Sequence, residues 1–140
     1  MNKIKICLIS PLPPPVGGIS VWTQSILDYL KRYNIKYHQV DISPRWKKIY
    51  TNNKLIRVLG GTKQLICNIF AYFLALDKDV DVIHLTSSGS LSIVRDIFFG
   101  ILARIYGLPL VYHIHHGRIP EIFKKNSLEK YLLHIAIKIS

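Results

Sequence analysis

Hydrophobic and polar positions switch between two periods along this chain, and the switches mark its elements. An apolar run, Ile6 to Ile9, is long enough for a buried strand and too short for a membrane span. Ser10 opens a loop with prolines at 11, 13, 14 and 15, which cannot donate ladder hydrogen bonds. After Gly17 and Gly18 the period changes, and Ile19, Trp22, Ile26, Leu27 and Leu30 recur at helical spacing. Strand, glycine loop and helix predict the first unit of a Rossmann-like, doubly wound α/β domain: a parallel sheet with helices on both faces.

The alternation continues. Ile35 to Ile42 predicts a second strand, stopped by Ser43-Pro44. Lys54 to Leu76 predicts a long helix that Gly60-Gly61 could kink or split, and Arg57, Lys63 and Gln64 interrupt its apolar stripe against a membrane span. That stripe fits either a helix packed on the sheet or one partly facing a membrane. Asp81 to Thr86 predicts a third strand running into Ser87, Ser88 and Gly89. Ser90 is placed to cap the next helix, which Gly107 ends. Pro109 starts a fourth strand in LPLVYHIHHG, a helical piece follows near Pro120 to Lys124, and a final helix begins at about Ser127.

At 140 residues this is one domain, small for a two-substrate enzyme. Lys plus Arg outnumber Asp plus Glu by 19 to 8, a net charge of +11 that asks for an acidic neighbour. The cations are scattered, and no helix-turn-helix, RNP-like or finger pattern accompanies them, so nucleic acid is not an expected partner. Arg45 to Asn53 (RWKKIYTNN) reads either as a surface for anionic head groups or an acidic acceptor, or as an ordinary solvated loop. Cys7 and Cys67 sit in apolar segments far apart, as buried reduced thiols would. The first apolar run meets Pro11 too early for a signal-peptide core, which makes a cytoplasmic location the expectation.

Three predicted loops share one sheet edge: Pro11 to Gly18, Thr86 to Ser90 and His115 to Glu121. In open α/β sheets ligands bind at that edge. On an extended strand Val111, His113 and His115 share one face, and Tyr112, Ile114 and His116 the other. Zinc would accept His84, His113 and His115, though no Cys or carboxylate cluster supports it; the competing reading makes His84 and His113 hydrogen-bonded core residues. Asp41 stands at a ribose-binding distance from the glycines, but P-L-P-P-P-V-G-G-I-S is stiffer than G-x-G-x-x-G.

Taken together, K-I-C-L-I-S-P-L-P-P-P-V-G-G-I-S-V-W, D-V-I-H-L-T-S-S-G and P-L-V-Y-H-I-H-H-G-R-I-P-E-I-F resemble the amino-terminal domain of family 4 (group 1) glycosyltransferases of the GT-B fold, over nearly the whole chain. The resemblance implies a retaining transfer from a nucleotide-sugar donor to a sugar or lipid-linked acceptor, as in polysaccharide or glycolipid assembly, with no metal or other cofactor. Residues 1–140 would be the acceptor-side domain. The carboxyl-terminal domain with its nucleotide pocket and E-x7-E motif is not in this sequence, so the chain is expected to be a fragment, inactive alone. By the resemblance, Gly17 and Gly18 approach the donor phosphate or the acceptor. His115 contacts the transferred sugar or orients acceptor and donor, with His116 the alternative one residue on. Ser87 and Ser88 on the second loop, and Arg118 and Glu121 on the third, join the expected substrate contacts; the bland alternatives are a surface charge for Arg118 and a helix cap for Glu121. A different class of function fits the charge: a non-catalytic domain holding an anionic or lipid-linked ligand, peripheral at the inner face of the cell membrane.

Overall fold

Four strands, β1 (Lys5–Ser10), β2 (Lys36–Asp41), β3 (Val82–Ser87) and β4 (Leu110–Ile114), pair in parallel in the order β2-β1-β3-β4. This computed structural model describes residues 4–45, 54–76, 79–89, 92–125 and 127–140. Strand order reverses between β1 and β3, which makes their carboxyl ends the switch point of the sheet. The expected Rossmann-like, doubly wound architecture is the one observed.

The helices are α1 (Gly18–Arg32), α2 (Lys54–Leu76), α3 (Ser92–Ile105), α4 (Ile119–Lys124) and α5 (Leu128–Ile139). Alternation along the strands divides the core. Cys7, Ile9, Val40, Ile83 and Leu85 are buried against Tyr72, Ala75 and Leu76 of α2 and Phe99 and Ala103 of α3. Ile6, Leu8, Val82, His84 and Val111 point to the opposite face, where they and Trp22, Ile26 and Leu30 of α1 line an apolar groove. A second small core, Ile93, Ile122, Leu133 and Ala136, fastens α4 and α5 to α3.

Local chemistry sets the helix ends. Asn34 takes a positive φ after α1, and Gly107 does so after α3, where Leu108 N–H donates back to the Ala103 carbonyl at 2.9 Å. Ser127 caps α5 by accepting from Lys130 N–H.

Several expectations shift. Gly60-Gly61 does not break α2, which runs unbroken from Lys54 to Leu76. Cys7 is buried and its thiol pushed up to about 12 by burial, but Cys67 is exposed, because it lies on the side of α2 turned away from the sheet. β3 extends one residue further than the pattern suggested, so Ser87 belongs to the strand; β4 stops at Ile114, leaving His115 and His116 beyond it. Trp46 to Asn53 of the basic loop, and Ser90 with its proposed capping role, lie outside the described residues.

Candidate functional site

The site is built on the carboxyl ends of β1, β3 and β4. Beneath it the hydroxyls of Ser10, Thr23 and Thr86, all buried, form a chain. Thr86 Oγ1 is 2.7 Å from Ser10 Oγ, which is hydrogen-bonded to Thr23 of α1. These bonds hold the start of α1 to the sheet at the switch point.

The proline loop is fixed at both ends. Leu12 N–H donates to Asp41 Oδ1 (3.0 Å) and lies 2.8 Å from Ser43 Oγ, while Ser43 Oγ donates to the Leu12 carbonyl (2.6 Å). Asp41 also accepts from Ser43 and from Arg45. Burial pushes the Asp41 carboxyl up, but hydrogen bonds from Ser43, Arg45 and Leu12 outweigh it and hold the group below its ordinary value. Every role Asp41 has here is inside the fold, which removes the ribose-binding reading.

At the other end of the loop, Gly17 N–H donates to Ser20 Oγ (2.9 Å), which sits 3.0 Å from the Pro15 carbonyl. Both glycines are exposed, and a Cβ on either would meet nothing within 4 Å. Neither needs a glycine conformation: Gly17 has extended backbone and Gly18 begins the helix. The fold itself therefore does not demand glycine at these positions; the bare backbone is left open to whatever approaches from outside. The first turn of α1 holds no acid, and its free N–H groups and dipole favour an anion.

The histidines gather around Trp22, one turn into α1. Its ring centroid is 4.9 Å from those of His113 and His115 and 5.6 Å from that of His84, and His113 and His115 are 4.0 Å apart. The expected strand faces are correct: Tyr112 and Ile114 pack on the opposite side, in the core with α3 and α5. Among the described residues, Nδ1 of His84, Nε2 of His115 and Nε2 of His116 are buried without a hydrogen-bond partner. Burial, followed by the neighbouring His113 and His115, lowers the pKa of His84; burial, followed by His113, lowers that of His115. Both shifts favour the neutral imidazole, and His115 holds a ring nitrogen with no partner among the described residues. The rings pack on one another and on Trp22, and among the described residues no group of three His, Cys, Asp or Glu is arranged to hold a metal ion. Nδ1 of His84 has no partner among the described residues, and the ring stacks on Trp22.

His115 N–H donates to the Ser87 carbonyl at 2.8 Å, tying the third loop to the second. His116 turns to the other side and covers Gly89, whose φ is +77° and whose missing Cβ would lie 2.9 Å from the imidazole. Ser88 is exposed beside it. Ser87 is a correction: it is fully buried, its hydroxyl donates to Asp96 of α3, and it offers nothing to the crevice. Arg118 and Glu121 stand exposed on the rim, 3.5 Å apart, Glu121 in the first turn of α4. Glu121 is the only carboxylate in the three loops, so they can bind polar groups and anions but hold no pair of acids for glycosidic chemistry.

No known family model, curated protein or solved structure matches this chain.

Sequence reasoning overlooked two residues. Trp22 looked like one more apolar position of α1 and is the hub of the histidine cluster. Asp96 is almost fully buried and accepts from Ser87, from Tyr112 Oη (3.1 Å) and from Arg95 (2.7 Å). A lone acid in an apolar helical stripe was its one sequence signal.

Proposed function

We propose that this chain is the acceptor-side domain of a retaining glycosyltransferase that takes its donor, a nucleotide sugar, on a second domain. The observation that carries the reading is the junction at the switch point. The ring of His115 contacts Trp22, one turn into the helix opened by Gly17-Gly18, and its N–H holds the end of β3. These contacts support a reading in which the loops singled out by the resemblance to family 4 glycosyltransferases serve one site at the sheet edge.

Within it, the imidazole of His115 accepts a hydroxyl hydrogen bond from a sugar and fixes its orientation. The open backbone at Gly17 and Gly18 and the positive end of α1 take a phosphate or another anion. Ser88, Arg118 and Glu121 supply polar contacts at the rim. The electrostatic stabilisation of a leaving diphosphate must come from elsewhere, because the three loops carry Arg118 as their sole permanent cation. The chain alone is therefore a binding half.

The test is transfer from a panel of nucleotide sugars by the protein together with whatever carboxyl-terminal domain its coding sequence continues into. Transfer or hydrolysis of one donor, reduced at least about a hundredfold by His115→Ala without loss of fold, is the expected result. Turnover of none of the donors would overturn the reading.

A further inference from the structure

We propose that the outer face of α2 and α3 docks on an anionic lipid bilayer, with α2 lying along the interface. This inference does not depend on the glycosyltransferase reading.

α2 has two apolar faces, and the fold uses one. On its inner side Asn68, Tyr72, Ala75 and Leu76 are buried, and Tyr72 Oη donates to the Phe99 carbonyl of α3 at 3.1 Å. On its outer side Leu59, Ile66 and Phe70 are between 62 and 70% exposed. α3 adds a parallel stripe: Phe98, Ile101 and Ile105 recur three or four residues apart and are exposed, opposite the buried Ile93, Phe99 and Ala103. Phe73 of α2 meets Tyr106, just past α3, with ring centroids 6.1 Å apart, which joins the stripes into one patch. Contiguous apolar surfaces of this breadth mark an interaction site in a soluble domain.

Charge identifies the occupant. From Leu59 to Leu76 the single charged residue is Lys63, and α3 has one acid, Asp96, which is buried in its own network. Among its described residues the face thus carries exposed apolar groups and a cation but no exposed anion, on a chain of net charge +11. A second copy would bring like charge against like; a bilayer with anionic lipid supplies both an apolar interior and the opposite charge.

The segment Leu59–Leu76 is long and apolar enough to cross a membrane. Crossing would strip Tyr72, Ala75 and Leu76 from the core they share with β1 and β3. Lying flat keeps that core and buries the outer stripe as well.

Flotation with phosphatidylcholine vesicles, with and without about one third phosphatidylglycerol, tests the proposal. The chain should bind the anionic vesicles and release as salt rises. Phe70→Asp combined with Phe98→Asp should weaken partition more than about tenfold, since each change removes an apolar anchor and adds a negative charge. Lys63→Glu should weaken it by a smaller factor, about fivefold or more. Tyr29→Asp, an exposed position on α1 at the other side of the sheet, should bind as the parent does. All four positions are exposed, so circular dichroism and melting temperature should hold, and a variant that melts early is replaced by Ile66→Asp. No binding by the parent, equal binding by the double variant, or a parent dimer in solution that the double variant dissociates would each overturn the proposal. His115→Ala should leave flotation unchanged, which keeps this outcome separate from that of the transfer assay.

Discussion

Two kinds of glycine follow the carboxyl ends of β1 and β3, and they should answer to substitution in opposite ways. Gly89 needs a positive φ and lends its empty Cβ position to the His116 ring. Gly89→Ala should therefore destabilise by more than about 1 kcal/mol, read from denaturant midpoints. Gly18, in α1 with open space beside it, should tolerate Ala with no loss and a gain of up to about 1 kcal/mol. If Gly18→Ala instead unfolds the chain, the glycine is needed by the fold and the argument for an approaching ligand goes with it. At this scale the sequence was partly legible. The faces of His113 and His115 followed from the two-residue period, which tolerates no slip. Ser87 did not: β3 runs one residue beyond its apolar pattern, and that residue turns its hydroxyl inward to Asp96. Trp22 was invisible as a hub because its partners come from β3 and β4, more than sixty positions away in the chain.

At the scale of elements, two acids do the fastening, Asp96 buried and Asp41 half-buried, each in a different place. Asp96 joins α3 to the ends of β3 and β4 through Ser87 and Tyr112, with Arg95 as its counter-charge. Asp96→Ala should cost about 3–5 kcal/mol, because it leaves Ser87, Tyr112 and Arg95 without their acceptor. A loss under about 1 kcal/mol in a denaturant titration would refute that role. Asp41 ties the proline loop to β2, and Asp41→Ala should cost about 1–3 kcal/mol by removing the acceptor that Leu12 and Ser43 share, since the exposed Arg45 contributes little. Its carboxyl is held below its ordinary value, so its stabilising effect is complete above about pH 4 and is lost as pH falls further. The helices themselves were legible to within a residue or two, α2 from end to end. What the pattern of α2 left open was where each apolar face goes. Periodicity reports that a side is apolar; the neighbour on that side is a tertiary fact, and here one neighbour is the sheet and the other is outside the fold.

At the scale of the whole molecule, order of strands and excess of positive charge act together on stability. Alternating strand and helix patterns predicted a parallel sheet, but its order, β2-β1-β3-β4, is a tertiary fact that right-handed crossovers narrow without fixing. That order brings β3 and β4 side by side, and so stacks His84, His113 and His115 where sequence separation alone could not place them. For His84 and His115 burial lowers the pKa, so the folded state binds protons less readily than the unfolded one. Stability from these groups is complete above the unfolded value of about 6.5 and drains away as pH falls through the lower folded values. The general charge works in the same direction, since each added proton raises a net charge already at +11. The melting temperature should accordingly fall between about pH 7.5 and about pH 5.5, well above the range where carboxylates titrate. His84→Phe keeps a ring against Trp22 and removes one titrating site, so it should flatten that slope while changing little at the alkaline end. A melting temperature that rises on acidification, or a slope that His84→Phe leaves unchanged, would mean that this ring is not held neutral in the fold. His115 would then carry the whole effect or none of it, and the hydrogen-bond acceptor assigned to the crevice would have to be sought by direct titration of its imidazole.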